Sequence, residues 1–126
     1  MPKVSRESAA NCADHGAAED RSEQLDGYTV NFVSFRQDVD ATPLLKGLPD
    51  DQCQCQHWGF VIKGRLTYRF GDREEVYEAG DAFYNPPGHV PISHEPGSEI
   101  VQFSPAEELR ATEAAMARNM QALQAG

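Results

Sequence analysis

From Gln54 to Gly64 the chain alternates as a half-buried strand does. Cys55, His57, Gly59 and Val61 fall on one face, and Gln54, Gln56, Trp58, Phe60 and Ile62 on the other. Gly64 then turns the chain into Arg65–Phe70, where Leu66, Tyr68 and Phe70 share a face. Gly71-Asp72 and Ala79-Gly80-Asp81 punctuate the runs Glu74–Glu78 and Ala82–Asn85. Two more short runs, HVPIS and SEIVQFS, flank Glu95-Pro96-Gly97. Strands this short, evenly spaced and joined by turn residues, predict a β-barrel or sandwich. Upstream, Asp26-Gly27 is a turn signal before Tyr28–Arg36, whose alternation breaks at Phe32-Val33; either a bulge or a strand covered on both faces accounts for it.

The two ends read differently. Residues 1–26 hold almost no large apolar side chain before Leu25, which predicts a flexible arm with room for a short helix around Ala17–Leu25. Asp38–Asp51 reads as a loop pinned to the core through Leu44, Leu45 and Leu48. After Ser104 the period becomes helical: Ser104 suits a cap, Pro105 the first helical position and Glu107 a capping box. Leu109, Thr112, Met116, Met120 and Leu123 form an apolar stripe expected to pack on the barrel. The layout is therefore an arm over 1–26, a barrel over 27–104 and a helix over 105–126, with Trp58 expected between barrel and helix.

Composition narrows the function classes. The formal net charge of -9 over 126 residues argues against a nucleic-acid partner. No apolar run reaches the roughly 20 residues a membrane-spanning helix needs, and the first residues lack a secretory pattern, so a cytoplasmic protein is expected. Three cysteines suggest thiols rather than a disulfide framework.

Candidate chemistry gathers between Cys53 and His89. Cys53, Cys55 and His57 alternate, and a Pro86-Pro87-Gly88 turn delivers His89. Cys55 and His57 share a strand face and suit one metal ion. In a regular strand Cys53 and His57 lie roughly 13 Å apart, so Cys53 joins only if the strand is distorted. Thiolate with imidazole favours zinc or ferrous iron, with copper a further option. His94, beside its turn, is expected in solvent, and Asp81 is expected to hold the turn after Gly80.

The middle of the chain resembles the cupin superfamily. Gly80, Pro86 and Gly88 in GDAFYNPPG stand at the spacing of that family's second motif, and WGFVIKG ends on Gly64 as the first motif does. The resemblance implies an all-β fold, a small jelly-roll-like antiparallel barrel, here with a C-terminal helix. Counting back from Gly64, the family's four metal-ligand positions fall on Asp51, Cys53, His57 and Pro91, none with the usual residue.

Three functions follow as expectations. The first is a metal-binding cupin acting on a small polar or aromatic molecule, its ion held by Cys55, His57 and His89, with Cys53 if the strand is distorted. The second is a metal-free enzyme of dehydratase or epimerase type using His57 and His89 as acid and base. The third is a non-enzymatic small-molecule binding or sensing module. A small-molecule ligand, no nucleic acid, no membrane and a monomer or homodimer complete the picture.

Overall fold

The structure is a computed structural model, and it describes residues 3–125. Among the described residues nine strands precede one long helix: β1 (Asn11–Asp14), β2 (Ala18–Leu25), β3 (Tyr28–Phe35), β4 (His57–Lys63), β5 (Arg65–Phe70), β6 (Arg73–Glu78), β7 (Ala82–Asn85), β8 (Val90–His94), β9 (Glu99–Pro105) and α1 (Ala106–Ala125). They form a six-stranded antiparallel sheet, β1-β2-β3-β9-β4-β7, and a three-stranded one, β6-β5-β8. Between the sheets lies a core of Val61, Leu66, Tyr68, Phe83 and Ile100. The architecture is that of the small all-β barrel expected from the strand rhythm, carrying its helix at the C-terminus.

Local chemistry explains several boundaries. Asp26 and Gly27 both adopt positive φ, 48° and 82°, the conformation of a two-residue hairpin turn, and they join β2 to β3. Gly64, at φ 85°, carries the chain from one sheet to the other, and a methyl group there would collide with Ser98. The Asp81 carboxylate accepts from the Glu78 amide at 2.8 Å, holding the corner before β7 as expected. Phe32 and Val33 are both half-buried in a ladder of unbroken register, so coverage on both faces, not a bulge, explains their adjacency.

The N-terminal segment departs from expectation. Ala18–Leu25 is neither arm nor helix but a strand paired to β3 over eight residues, with β1 added outside it. The ladder satisfies its backbone, Arg21 pairs with Glu19 of the same strand at 2.9 Å, and Asp14 of β1 pairs with Arg36, just beyond β3, at 2.7 Å.

Helix α1 closes one end of the barrel. Leu109 and Met116 pack on Leu45, Cys53, Cys55 and Val90, with Leu48 and Ile92 alongside. Asn119 donates to the carbonyls of Leu44 and Lys46 at 2.7 and 2.8 Å, tying the helix to the Thr42–Leu45 turn. Ser104 does not cap the helix in this arrangement; it ends in β9, fully buried, with its hydroxyl engaged inside the barrel. Trp58 is also misplaced by the pattern reading: it sits on the outer sheet face, 41% exposed, beside Tyr28 and Tyr84.

Candidate metal centre

The site starts from the irregular chain before β4. The regular strand begins only at His57, and Cys53 is held instead by an isolated bridge to His89. The Cys53 amide donates to the His89 carbonyl at 2.9 Å, and the Gly88 amide to the Cys53 carbonyl at 2.8 Å. This bend shortens the separation that a straight strand would impose. Cys53 Sγ comes to 3.5 Å from His57 Nε2.

Cys53, His57 and His89 each offer a ligand atom, and the three atoms lie within 4.8 Å of one another. All three residues are at most 5% exposed. Cys55 is equally buried but turns elsewhere, its Sγ 3.3 Å from the Gln56 carbonyl and packed in the apolar cluster under α1. The structure thus brings His57 and His89 together and, the chain being bent at Cys53, places that thiol beside them in place of Cys55.

The surroundings orient each group. His89 Nδ1 lies 2.7 Å from the Pro86 carbonyl. A carbonyl only accepts, so Nδ1 carries the proton and Nε2 keeps its lone pair. His57 Nδ1 lies 2.6 Å from Ser104 Oγ, which leaves Nε2 facing Cys53. Thr112 Oγ1 of α1 stands 3.3 Å from Cys53 Sγ, placed to donate to the sulfur. An imidazole whose second nitrogen is fixed in this way is the usual form of a metal-bound histidine.

Burial sets the electrostatics. It depresses His57 to about 3, with His89 nearby adding to the effect, and it lowers His89 too. Both imidazoles are therefore neutral near pH 7, the form that ligates. Burial pushes the Cys53 thiol up and the Cys55 thiol up to about 12. A bound cation reverses that preference for Cys53, since coordination deprotonates a thiol outright.

The donor set fits a first-row divalent ion. A sulfur and a nitrogen bound to one tetrahedral zinc, at about 2.3 and 2.0–2.1 Å, are separated by roughly 3.5 Å. That is the Sγ–Nε2 separation found between Cys53 and His57. Three protein ligands leave a tetrahedral position open, the arrangement of reactive rather than structural sites.

Two residues missed by sequence reasoning complete the chamber. Asn85 stands opposite His57 in the β4–β7 ladder and is fully buried. Its Oδ1 accepts from the Tyr77 hydroxyl at 2.9 Å, while its Nδ2 has no partner among the described residues. Tyr68, its phenol raised by burial, packs edge-on to His89 with centroids 5.9 Å apart. A signal for Asn85 existed: it shares strand parity with Phe83, the inward residue of AFYN. His94 is not solvent-exposed, because it stacks on Phe35 at 4.0 Å and its Nδ1 donates to the Val39 carbonyl at 2.7 Å.

No family model matches the chain, and no curated protein matches it by sequence. Solved structures do match by shape. A Rhizobium leguminosarum protein of unknown function aligns with TM-score 0.60 at 19% identity, over 82% of this chain and 95% of that one. Streptomyces PAC13, solved with uridine, aligns with TM-score 0.58 at 14% identity, over 83% and 82%. An RmlC-like cupin from Shewanella frigidimarina aligns with TM-score 0.54 at 18% identity, over 76% and 84%. At these identities the likeness establishes the fold.

Proposed function

We propose, from the premise that this chain has the cupin fold, that it binds one divalent metal ion through Cys53, His57 and His89 and acts on a small polar or aromatic molecule within the barrel. The observation that carries the reading is the convergence of those three ligand atoms within 4.8 Å, with the second nitrogen of each histidine already hydrogen-bonded. Zinc or ferrous iron suits one thiolate and two imidazoles best, and copper is the alternative. When bound, the ion supplies Lewis-acid polarisation of a ligand oxygen.

The chain's own groups supply the rest. The Pro86 carbonyl and the Ser104 hydroxyl hold the two imidazoles at fixed angles. Asn85 Nδ2, buried without a partner, offers a hydrogen bond to an oxygen of the incoming molecule, and leaving it unpaired costs about 1–3 kcal/mol until that happens. Neutral histidines favour this reading over a metal-free acid–base pair. An imidazole depressed to about 3 is not protonated to imidazolium near pH 7, so it lacks the acidic proton that a general acid would give up.

The test is elemental analysis of protein purified without added chelator, with zinc and iron titrated into the stripped form. About one ion per chain is expected, with binding weakened at least ~10-fold in Cys53→Ser, His57→Gln and His89→Gln and retained in Cys55→Ser. Stripped protein that takes up neither ion, or loss of binding through Cys55→Ser alone, overturns the assignment.

A further inference from the structure

The metal centre leaves one buried polar atom of the large sheet unaccounted for. Asn31 on β3 is 3% exposed, and its Oδ1 has no hydrogen-bond partner among the described residues. Its Nδ2 is committed, because it donates to both carboxylate oxygens of Asp20 on β2, at 3.0 and 3.1 Å. A carboxylate only accepts, so the amide cannot turn over, and Oδ1 stays an acceptor that lacks a donor. Ladder register sets the surroundings. Asn31 stands between Ser22 of β2 and Gln102 of β9, on the face whose Val61 and Ile100 fill the core. Asp20 and Ser22 belong to that same inner face but are only half-buried, so the group opens to solvent beside β2.

Helix α1 brings a second acid to this opening. Glu113 lies near enough to Asp20 for the two charges to oppose each other, and its carboxyl is pushed up by partial burial and by Asp20. The Asp20 carboxyl is pushed up by burial, against the pull of Asn31 and of His15. Among the described residues no lysine or arginine pairs with either acid. Their neighbours Asp14 and Glu19, by contrast, both pair with arginines. We propose that the cleft between β2 and α1 binds a small organic cation bearing a protonated primary amine, held by the carboxylates of Asp20 and Glu113 and by Asn31 Oδ1.

The three acceptors select that class of ligand. A primary ammonium carries three N–H donors and a full positive charge, so it satisfies the orphaned carbonyl and neutralises both acids at once. An anion would meet only acceptors here. A neutral alcohol could donate to Asn31 but would leave two carboxylates facing each other without a counter-charge. A bare divalent ion takes roughly six to eight oxygens, or six in strict octahedral geometry, and both Asp20 oxygens are already engaged by Asn31 Nδ2. The tightly converging ligand atoms among the described residues are those of Cys53, His57 and His89 instead. The cleft is distinct from that centre, and binding in it requires no metal ion.

The probe is n-butylamine, with n-butanol, butyrate and potassium chloride as matched controls. Each is titrated into chelator-treated full-length protein at mildly alkaline pH, where the amine is still protonated. Amide NMR of isotope-labelled protein should show saturable shifts at Asp20, Ser22, Asn31 and Glu113 with butylamine alone. Asp20→Asn and Glu113→Gln should each weaken binding at least ~10-fold, since each removes a charge-assisted hydrogen bond. Glu113 is exposed on α1, so its substitution keeps the test decisive even if Asp20→Asn fails to fold. Shifts that do not saturate with butylamine overturn the proposal. So does an equal response to n-butanol or to potassium, which marks a general polar or bare-cation site, and so does undiminished binding in Glu113→Gln.

Discussion

Ser104 holds its hydroxyl 2.6 Å from Nδ1 of His57, and both side chains are buried. The pair links the last residues of β9 to the first residue of β4 and fixes which imidazole nitrogen faces Cys53. Ser104→Ala removes the hydroxyl and leaves a buried ring nitrogen of His57 unpaired, a loss of about 1–3 kcal/mol. The expected outcome is a lower urea midpoint together with zinc affinity about 10–100-fold weaker, the usual effect of deleting a group that orients a ligand. Ser104→Thr keeps an oxygen and should recover affinity better than stability. If Ser104→Ala binds zinc as the parent does, the hydroxyl does not orient His57.

The three thiols should separate cleanly in reactivity. Cys12 is exposed, whereas Cys53 and Cys55 are buried with burial raising both thiols. Thiolate is the reactive species, so a disulfide reagent added to native, metal-stripped protein at neutral pH should consume one equivalent quickly. The remaining two should react only in denaturant. Cys12→Ser should abolish the fast phase, and two fast equivalents in the native parent would contradict the burial of the site.

Much of the fold can be read from local periodicity. The alternation from Gln54 to Gly64 assigns both faces of β4 because side-chain direction in a strand depends only on parity. What the alternation cannot show is decided by distant partners. Ala18–Leu25 becomes a strand because β3 supplies its ladder, although its own side chains favour solvent. Cys53 replaces Cys55 at the site because the chain bends where Cys53 pairs with His89, 36 positions away, and no nearby residue encodes that bridge. Ser104 reads as a helix cap from its neighbours, yet His57 from another strand takes the hydroxyl.

Acid should destabilise the metal-stripped protein well above the carboxylate range. His57, His89 and His94 are all held below the usual 6.5, chiefly by burial. Between 6.5 and their folded values the unfolded chain binds protons that the folded chain does not, so stability is full above about pH 6.5 and falls as pH drops. Each such histidine contributes about 1.4 kcal/mol per pH unit in that interval, and for His57 the interval extends to about 3. The unfolding temperature, measured with chelator present, should therefore fall steadily from pH 7 to pH 5. Asp20, whose carboxyl burial raises, acts in the opposite sense but only nearer its own range. A flat profile over pH 7 to 5 would mean that the histidines are solvated.

Gly59 sits at the centre of β4 because its neighbour across the ladder requires the space. It pairs with Phe83 on one side and Gln102 on the other. A Cβ at residue 59 would run into the Phe83 ring and the Val101 carbonyl. Phe83 is 7% exposed and belongs to the cluster that fills the gap between the sheets, stacked on Tyr77 at 4.8 Å. The ring cannot move outward without opening that stack, so Gly59→Ala should cost about 1–3 kcal/mol by overpacking. Phe83→Leu alone should also destabilise, because it leaves a cavity beside Tyr68 and Tyr77. The double variant should be more stable than the sum of the two losses predicts, by about 0.5 kcal/mol or more, since the smaller side chain makes room for the new methyl. Additive losses in a urea-denaturation cycle would show that the Val101 carbonyl, rather than the ring, is what demands glycine.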